Sequence, residues 1–169
     1  LFTANIGTRD VSVLDRASGE LITKVPCGDG VEMNLLTPDG KRLWACNQDE
    51  STITVIDVET HEVVETIPCP GLPVRVTYTS DGATAFVASW SDEGYCVVYD
   101  VPSSKEIARI PVGRQAIGIA ISPDERRVFV GCEHTDGVHV IDVATLSVEA
   151  KIMTGDGSDA MAIWYPPAP

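Results

Sequence analysis

Positive charge is scarce in this chain. Twelve Lys and Arg stand against 25 Asp and Glu, giving a formal net charge of −13 over 169 residues. A surface of that sign repels phosphate backbones and anionic headgroups, which argues against nucleic acid and anionic membrane as partners. Long apolar runs are also missing. Nothing approaches the roughly 20 consecutive apolar residues of a spanning helix, so membrane insertion is not expected. No window keeps a 3.6-residue apolar period for three turns, which leaves almost no helix. The five cysteines, Cys27, Cys46, Cys69, Cys96 and Cys132, show neither metal-pair spacing nor a Cys-x-x-Cys-His heme attachment motif. Cys27 and Cys69 fall at the same place in successive repeats, farther apart than the ~7 Å that a disulfide allows. Buried, reduced thiols packing as small hydrophobes are expected.

What is present is repetition. Strands ending in aspartate recur as VSVLD at Asp15, ITVID at Asp57, CVVYD at Asp100 and VHVID at Asp142, at steps of 42, 43 and 42 residues. Turns recur at Pro38-Asp39-Gly40, Ser80-Asp81-Gly82 and Pro123-Asp124-Glu125, and apolar strands entering polar loops recur as LFTAN, LWACN, AFVAS and VFVGC. A fixed period of about 40–50 residues holding several strands is the pattern of a propeller blade. Each period reads as four strands. The first (33–37, 74–79, 117–122, 161–165) is apolar almost throughout, the second follows the Asp-Gly turn, and the third ends in the repeated Asp. The last alternates like an edge strand with one wet face. The expected fold is therefore all-β: a β-propeller of four-stranded antiparallel blades, one domain over 1–169. Its repeat units cover about 1–42, 43–84, 85–127 and 128–169.

The motifs S/TPDG, VFV/LWA and VIDVAT with a downstream IPVG resemble the YVTN family of β-propeller repeats, best over residues 120–143 and 37–68. The resemblance covers essentially the whole chain. SDGA at Ser80–Ala83 lacks the proline, and the last unit has Tyr165-Pro166-Pro167-Ala168 in place of the turn. The resemblance implies more blades than four, and an exported protein of the periplasm, cell envelope or extracellular space. It further implies either a propeller subunit of a redox complex or a lactonase-like hydrolase using a metal in the central channel.

The phase of the repeats bears on closure. The sequence opens at a second strand with Leu1 and stops after a first strand, so 161–165 is expected to join the strands of 1–26 in one blade. Part of a larger propeller ranks first, a closed four-bladed ring second, and two chains completing eight blades third.

Chemistry would sit on the loops and at the channel mouth. The loops between second and third strands carry Asp10, Asp49, Glu50, Asp92, Glu93, Glu133 and Asp136 against Arg9 alone, and those after the fourth strands add Asp29, Asp156 and Asp159 against Arg114. The opposite face carries Arg16, Lys41, Arg42, Lys105, Arg126 and Arg127. Such asymmetry suits an acidic face that docks a cationic protein partner, or a hard divalent cation held by carboxylates and carbonyls. Trp90, beside Asp92 and Glu93, either packs over the blade top or is the aromatic anchor such a face would use. His134, between Glu133 and Asp136, is the histidine best placed as a ligand or pH-sensitive contact. His61 and His139 read as surface or packing residues. At the channel mouth the columns are Glu32, Val74, Ile117, Ala160 and Met33, Arg75, Gly118, Met161, where Glu32 and Arg75 are expected to pair across blades. No nucleophile or acid–base set stands out, so a non-enzymatic binding propeller without a resident cofactor is the expectation.

Overall fold

The computed structural model describes residues 1–135 and 137–164, built of strands in four antiparallel sheets. Blade I holds β1 (Phe2–Asn5), β2 (Asp10–Leu14) and β3 (Leu21–Pro26). Blade II holds β4 (Val31–Leu36), β5 (Arg42–Asn47), β6 (Thr52–Asp57) and β7 (Val63–Pro68). Blade III holds β8 (Leu72–Tyr78), β9 (Thr84–Trp90), β10 (Tyr95–Asp100) and β11 (Lys105–Pro111). Blade IV holds β12 (Ala116–Ile121), β13 (Arg127–Cys132), β14 (Gly137–Asp142) and β15 (Ser147–Met153). In blades II to IV the strands pair strictly in chain order, and β4, β8 and β12 stand side by side at the inner edge. The described residues contain two single 3-10 turns, Ile6–Thr8 and Gln48–Glu50, and no longer helix.

The sequence landmarks are turn pins. Thr37, Thr79 and Ser122 donate to Asp39, Asp81 and Asp124 at 2.7, 2.6 and 2.7 Å. Each aspartate in turn accepts a backbone amide two residues on, from Lys41, Ala83 and Arg126. The repeated strand-end aspartates do the same for the next turn: Asp15 accepts from Ala17 and Ser18, Asp57 from Glu59 and Thr60, and Asp142 from Thr145. Hydrogen bonds to the ionised form hold these carboxyls below their ordinary range, led by Lys41 N–H at Asp39 and Thr60 N–H at Asp57. The strongest periodic signal in the sequence is therefore backbone engineering rather than chemistry.

Blades pack face to face. Between II and III, Trp44 meets Tyr78 and Tyr99 edge-on at 5.8 Å each, with Cys46, Ile53, Ile67, Val87 and Val97 around them. Between III and IV, Phe86, Cys96 and Val98 pack on Val128, Val130 and Ile141; between I and II, Val11 and Val25 pack on Val31, Leu43 and Ile56. The aromatic column of Trp44, Phe86 and Phe129 points the same way from successive blades. Phe129 is half-exposed, because nothing comparable follows blade IV among the described residues.

Bulges recur as regularly as the turns. Registers shift at Val31/Met33, Pro73/Arg75 and Ala116/Gly118, which leaves Glu32, Val74 and Ile117 unpaired on the inner strands. On the outer strands the shifts at Val13/Leu14, Val55/Ile56, Val98/Tyr99 and Val140/Ile141 leave Ile22, Val64, Ile107 and Glu149 opposite no partner. A bulge bends its strand and re-aims the side chain beside it.

Among the described residues the expected closure is not made. Residues 161–164 form no strand, the position of Tyr165 lies outside the described residues, and blade I has three strands. The segment instead lies against blade IV, with Ser158 O and Met161 Cε 2.6 and 3.1 Å from where a Gly131 Cβ would stand. Asp159 O lies so close over Gly118 that no side chain fits there. That is the side on which each preceding blade receives the inner strand of the next, as Cys46 does Val76. The two glycines are what let the backbones approach.

Candidate functional site

The two sets of loops meet on one face, as the strand order requires. Gln48 and Asp49 N–H groups donate to Gly30 and Asp29 carbonyls, Gln115 N–H to Ser91 O, and Glu133 N–H to Gln115 O. These bonds stitch each blade's loop to the connection on its neighbour.

Most of the acids expected to present a docking face are engaged within it. Trp90 is half-buried, and its Nε1 donates to Glu133 Oε2 at 3.1 Å across blades III and IV. It therefore packs over the blade tops and is not a free anchor. Arg114 reaches Asp92 at 3.2 Å, an exposed pair of little energetic weight. Glu93 accepts from Tyr95 OH, which raises the phenol above its usual value. Glu50 accepts the Asp29 N–H at 3.0 Å, while Asp29 pairs with Arg9 at 2.8 Å. Asp10 is buried, holding Asn5 at 2.6 Å and Lys24 at 3.5 Å; the Asn5 hydrogen bond, ahead of the others, lowers its carboxyl. Asp49, Asp156 and His134 remain exposed. Asp136 lies outside the described residues.

At the channel mouth Glu32 and Arg75 stay apart. Arg75 Nη1 donates to Asp159 Oδ1 at 2.7 Å and to Ile117 O at 3.2 Å. The bulge leaves Ile117 without a paired residue on β13, and Asp159 arrives with the segment laid on Gly118, so both acceptors take the guanidinium in place of Glu32. Below lies a 380 Å³ cavity lined by Met33, Leu35, Arg75, Thr77, Ile119 and Met161. The side chains that line it are apolar except for Arg75 and one threonine, with backbone polar groups exposed between them. A second cavity of 430 Å³ opens on the opposite face between blades II and III, floored by Trp44 and crossed by the Ser104–Glu65 hydrogen bond at 2.6 Å.

Sequence reasoning missed one set of residues, those that end each second strand. Asn5, Asn47, Ser89 and Cys132 are equivalent, as are Ser12, Thr54, Val97 and His139 across from them. Asn5 Nδ2 donates to Ser12 at 2.8 Å, and Asn47 Nδ2 to Thr54 at 2.8 Å. In blade IV the pair becomes Cys132 Sγ and His139 Nδ1 at 3.6 Å, both buried. Burial, then Lys151, lowers the imidazole below its usual value, and burial raises the thiol, so both are neutral. Column alignment of the repeats carried this signal, but only the fold shows that the columns touch. His61 takes a left-handed backbone, φ 59°, in the turn after β6 and sets its ring edge-on to Phe2 at 6.4 Å. All five cysteines are free, four of them buried; burial pushes the Cys27 thiol up to about 11 and Cys69 to about 12.

Among the described residues no three His, Cys, Asp or Glu side chains converge as a metal site would, and no helix is long and apolar enough to cross a membrane.

Comparison with known proteins extends this picture. A seven-bladed beta-propeller protein of Mycobacterium tuberculosis is 24% identical over 145 residues, 82% of this chain and 37% of that protein. Two proteins of Pseudomonas aeruginosa follow. The dihydro-heme d1 dehydrogenase is 29% identical over 66% of this chain and 24% of its own length, and protein NirF is 28% identical over 72% and 31%. The chain thus spans well under half of each of these relatives. Among solved structures, a chain of Kuenenia stuttgartiensis hydrazine synthase superposes with a TM-score of 0.87 over 91% of this chain and 46% of that one, at 22% identity, a likeness of fold. The propeller expected from the repeats is the fold observed. Residues 1–114 match the model described as the cytochrome D1 heme domain, and the chain belongs to that family.

Proposed function

We propose that this chain is a non-enzymatic binding arc of a larger propeller that serves heme-linked redox chemistry. It would hold a flat, carboxylate-bearing ligand against its inner wall and present its acidic loops to a cationic protein. The observation that carries the reading is the inner wall itself: three blades contribute Met33, Leu35, Thr77 and Ile119 around a single cation, Arg75. A wall of apolar side chains with one guanidinium, whose Nη1 is shared with Asp159 and Ile117 O, suits the edge of a macrocycle and one of its carboxylates, which would compete with Asp159 for the cation. Family membership supplies the class of macrocycle.

The residues fit the rim of a heme d1-type group. β4, β8 and β12 carry no histidine or cysteine, the Tyr78 hydroxyl on β8 points at Leu35 O, 3.5 Å away, in the blade interior, and the thioethers of Met33 and Met161 are the soft donors on the wall. One-electron chemistry would belong to the bound group; this arc contributes an apolar surface and an anchor for negative charge. The loop face, with Asp49 and Asp156 exposed, would attract a basic partner in a salt-sensitive way. Export to the periplasm is part of the same proposal.

Absorption titration of the purified chain with iron protoporphyrin IX tests the reading. Saturable binding is expected, weakened about tenfold in Arg75→Leu, the loss of one charge-assisted contact. Binding that is absent, or indifferent to Arg75, would overturn it.

A further inference from the structure

Blades I and II end their second strands with the same asparagine, and the two amides are satisfied differently. In blade I, Asn5 Nδ2 donates to Asp10 and Ser12, and Asn5 Oδ1 accepts from Thr3 at 3.4 Å. In blade II, Asn47 Nδ2 donates to Thr52 at 2.9 Å and Thr54 at 2.8 Å. Thr3 is replaced by Ala45 at the equivalent register position, opposite Thr54 as Thr3 is opposite Ser12. Asn47 is fully buried, and its Oδ1 has no hydrogen-bond partner. An orphaned buried carbonyl costs about 1–3 kcal/mol, so something is expected to answer it.

The amide lines a 230 Å³ pocket between the blades, together with Glu50, Thr52, Thr54, Thr66 and Cys27. Glu50 takes the place that Thr8 has in blade I, so blade II exchanges a hydroxyl for a carboxylate where it also loses the partner of its amide. The Glu50 carboxylate is held there by Asp29 N–H at 3.0 Å, and Gly28 is what makes room: a Cβ would collide with the carboxylate and stand 2.8 Å from Asn47 Cγ. Thr52 and Thr54 each spend one lone pair on Asn47 Nδ2 and keep another. The polar lining is thus oxygen apart from the Cys27 sulfur and the Asn47 Nδ2 that the two threonines already hold, with one formal negative charge.

We propose that this pocket binds a hard metal cation, calcium in preference to magnesium, through the Asn47 amide oxygen, the Glu50 carboxylate and the threonine hydroxyls. Hard cations take oxygen donors. Calcium accepts 6–8 of them at 2.3–2.6 Å in flexible geometry, whereas magnesium demands a tight octahedron. Cys27 stays out of the donor set, because burial keeps its thiol protonated with a pKa near 11. A single carboxylate among neutral donors places the site in the weak class of about 10⁻⁴–10⁻³ M. A bound ion would clamp the connection at 27–30 to the turn at 48–50, fixing the loop face at this junction.

The test is calorimetric titration of the purified chain with calcium chloride, paired with thermal melts at about 10 mM calcium, magnesium or ionic-strength-matched sodium. Calcium is expected to bind in the millimolar range and to raise the melt by about 2–4 °C. Glu50→Gln, which keeps an acceptor for Asp29 N–H, should abolish both effects, and Asn47→Asp should tighten binding about tenfold by adding a ligand charge. Because the whole chain is acidic, Glu59→Gln, exposed in the turn after β6, serves as control and should leave binding unchanged. No calcium effect, or one that survives in Glu50→Gln or is matched by magnesium, would overturn the assignment.

Discussion

Blades II and IV are the same four strands covered in different ways. In blade II the forward face is closed: Trp44 is 2% exposed, Ile53 0% and Ile67 3%. The equivalent side chains of blade IV are Phe129 and Val138, both half-exposed, and Ile152 at 48%. The hydrophobic pattern is alike, yet only blade II has a following blade against it. Periodicity in a repeat protein states a capacity to be buried, and the neighbour decides whether it is used.

The contrast can be pressed hardest by truncation. Trp44→Ala removes an indole packed on two tyrosines and should cost about 3–5 kcal/mol in denaturant unfolding. Phe129→Ala, at the matching place in blade IV, should cost only about 1 kcal/mol. Equal losses would mean that blade IV's face is closed in solution by something beyond the segment at 158–161.

That segment gives the next, smaller effect. Gly131→Val suits a strand by propensity but drives a side chain into Ser158 and Met161. Global stability should move by less than about 1 kcal/mol while limited proteolysis within 154–164 speeds up. If cleavage there is unchanged, the seat on Gly131 does not hold the segment.

The smallest effect separates the two cross-strand pairs. His139 is neutral in the folded chain because burial depresses it below its ordinary 6.5, whereas the unfolded chain takes up a proton near that value. Its stabilising contribution is whole above 6.5 and is lost as pH falls through the depressed folded value. Blade II, with Asn47 and Thr54, has nothing to titrate there. His139→Gln should therefore flatten the fall in stability between about pH 7 and 5 and leave the deeper acid transition, where the turn aspartates protonate, in place. An unchanged slope would assign the sensitivity to other groups.

Much of this architecture was legible beforehand. Asp15, Asp57, Asp100 and Asp142 mark the period, and the aromatic column of Trp44, Phe86 and Phe129 marks the side on which blades stack. The site was less legible, because its partners are set by events that sequence spacing does not encode. Arg75 was assigned to Glu32 from column positions. The bulge at Ile117 and the placement of Asp159 over Gly118 hand it other acceptors. Trp90 read equally as packing over the blade top or meeting a partner, and the bond from its indole to Glu133 across blades III and IV favours the first. The orphaned oxygen of Asn47 could not be foreseen either, since it follows from the absence of a hydroxyl at Ala45, two positions away and across a shared face.

The bulges on the outer strands have a consequence for the molecule in crowded solution. Ile22, Val64 and Ile107 are apolar and largely exposed on strands whose outer edge no strand covers among the described residues, the composition from which cross-β fibrils are templated. One unpaired residue at the same register in β3, β7, β11 and β15 breaks the straight run of amides that a foreign strand would have to match. Each blade thus carries its own defence against fibril seeding, copied with the repeat, and a propeller can add blades without adding sticky rims.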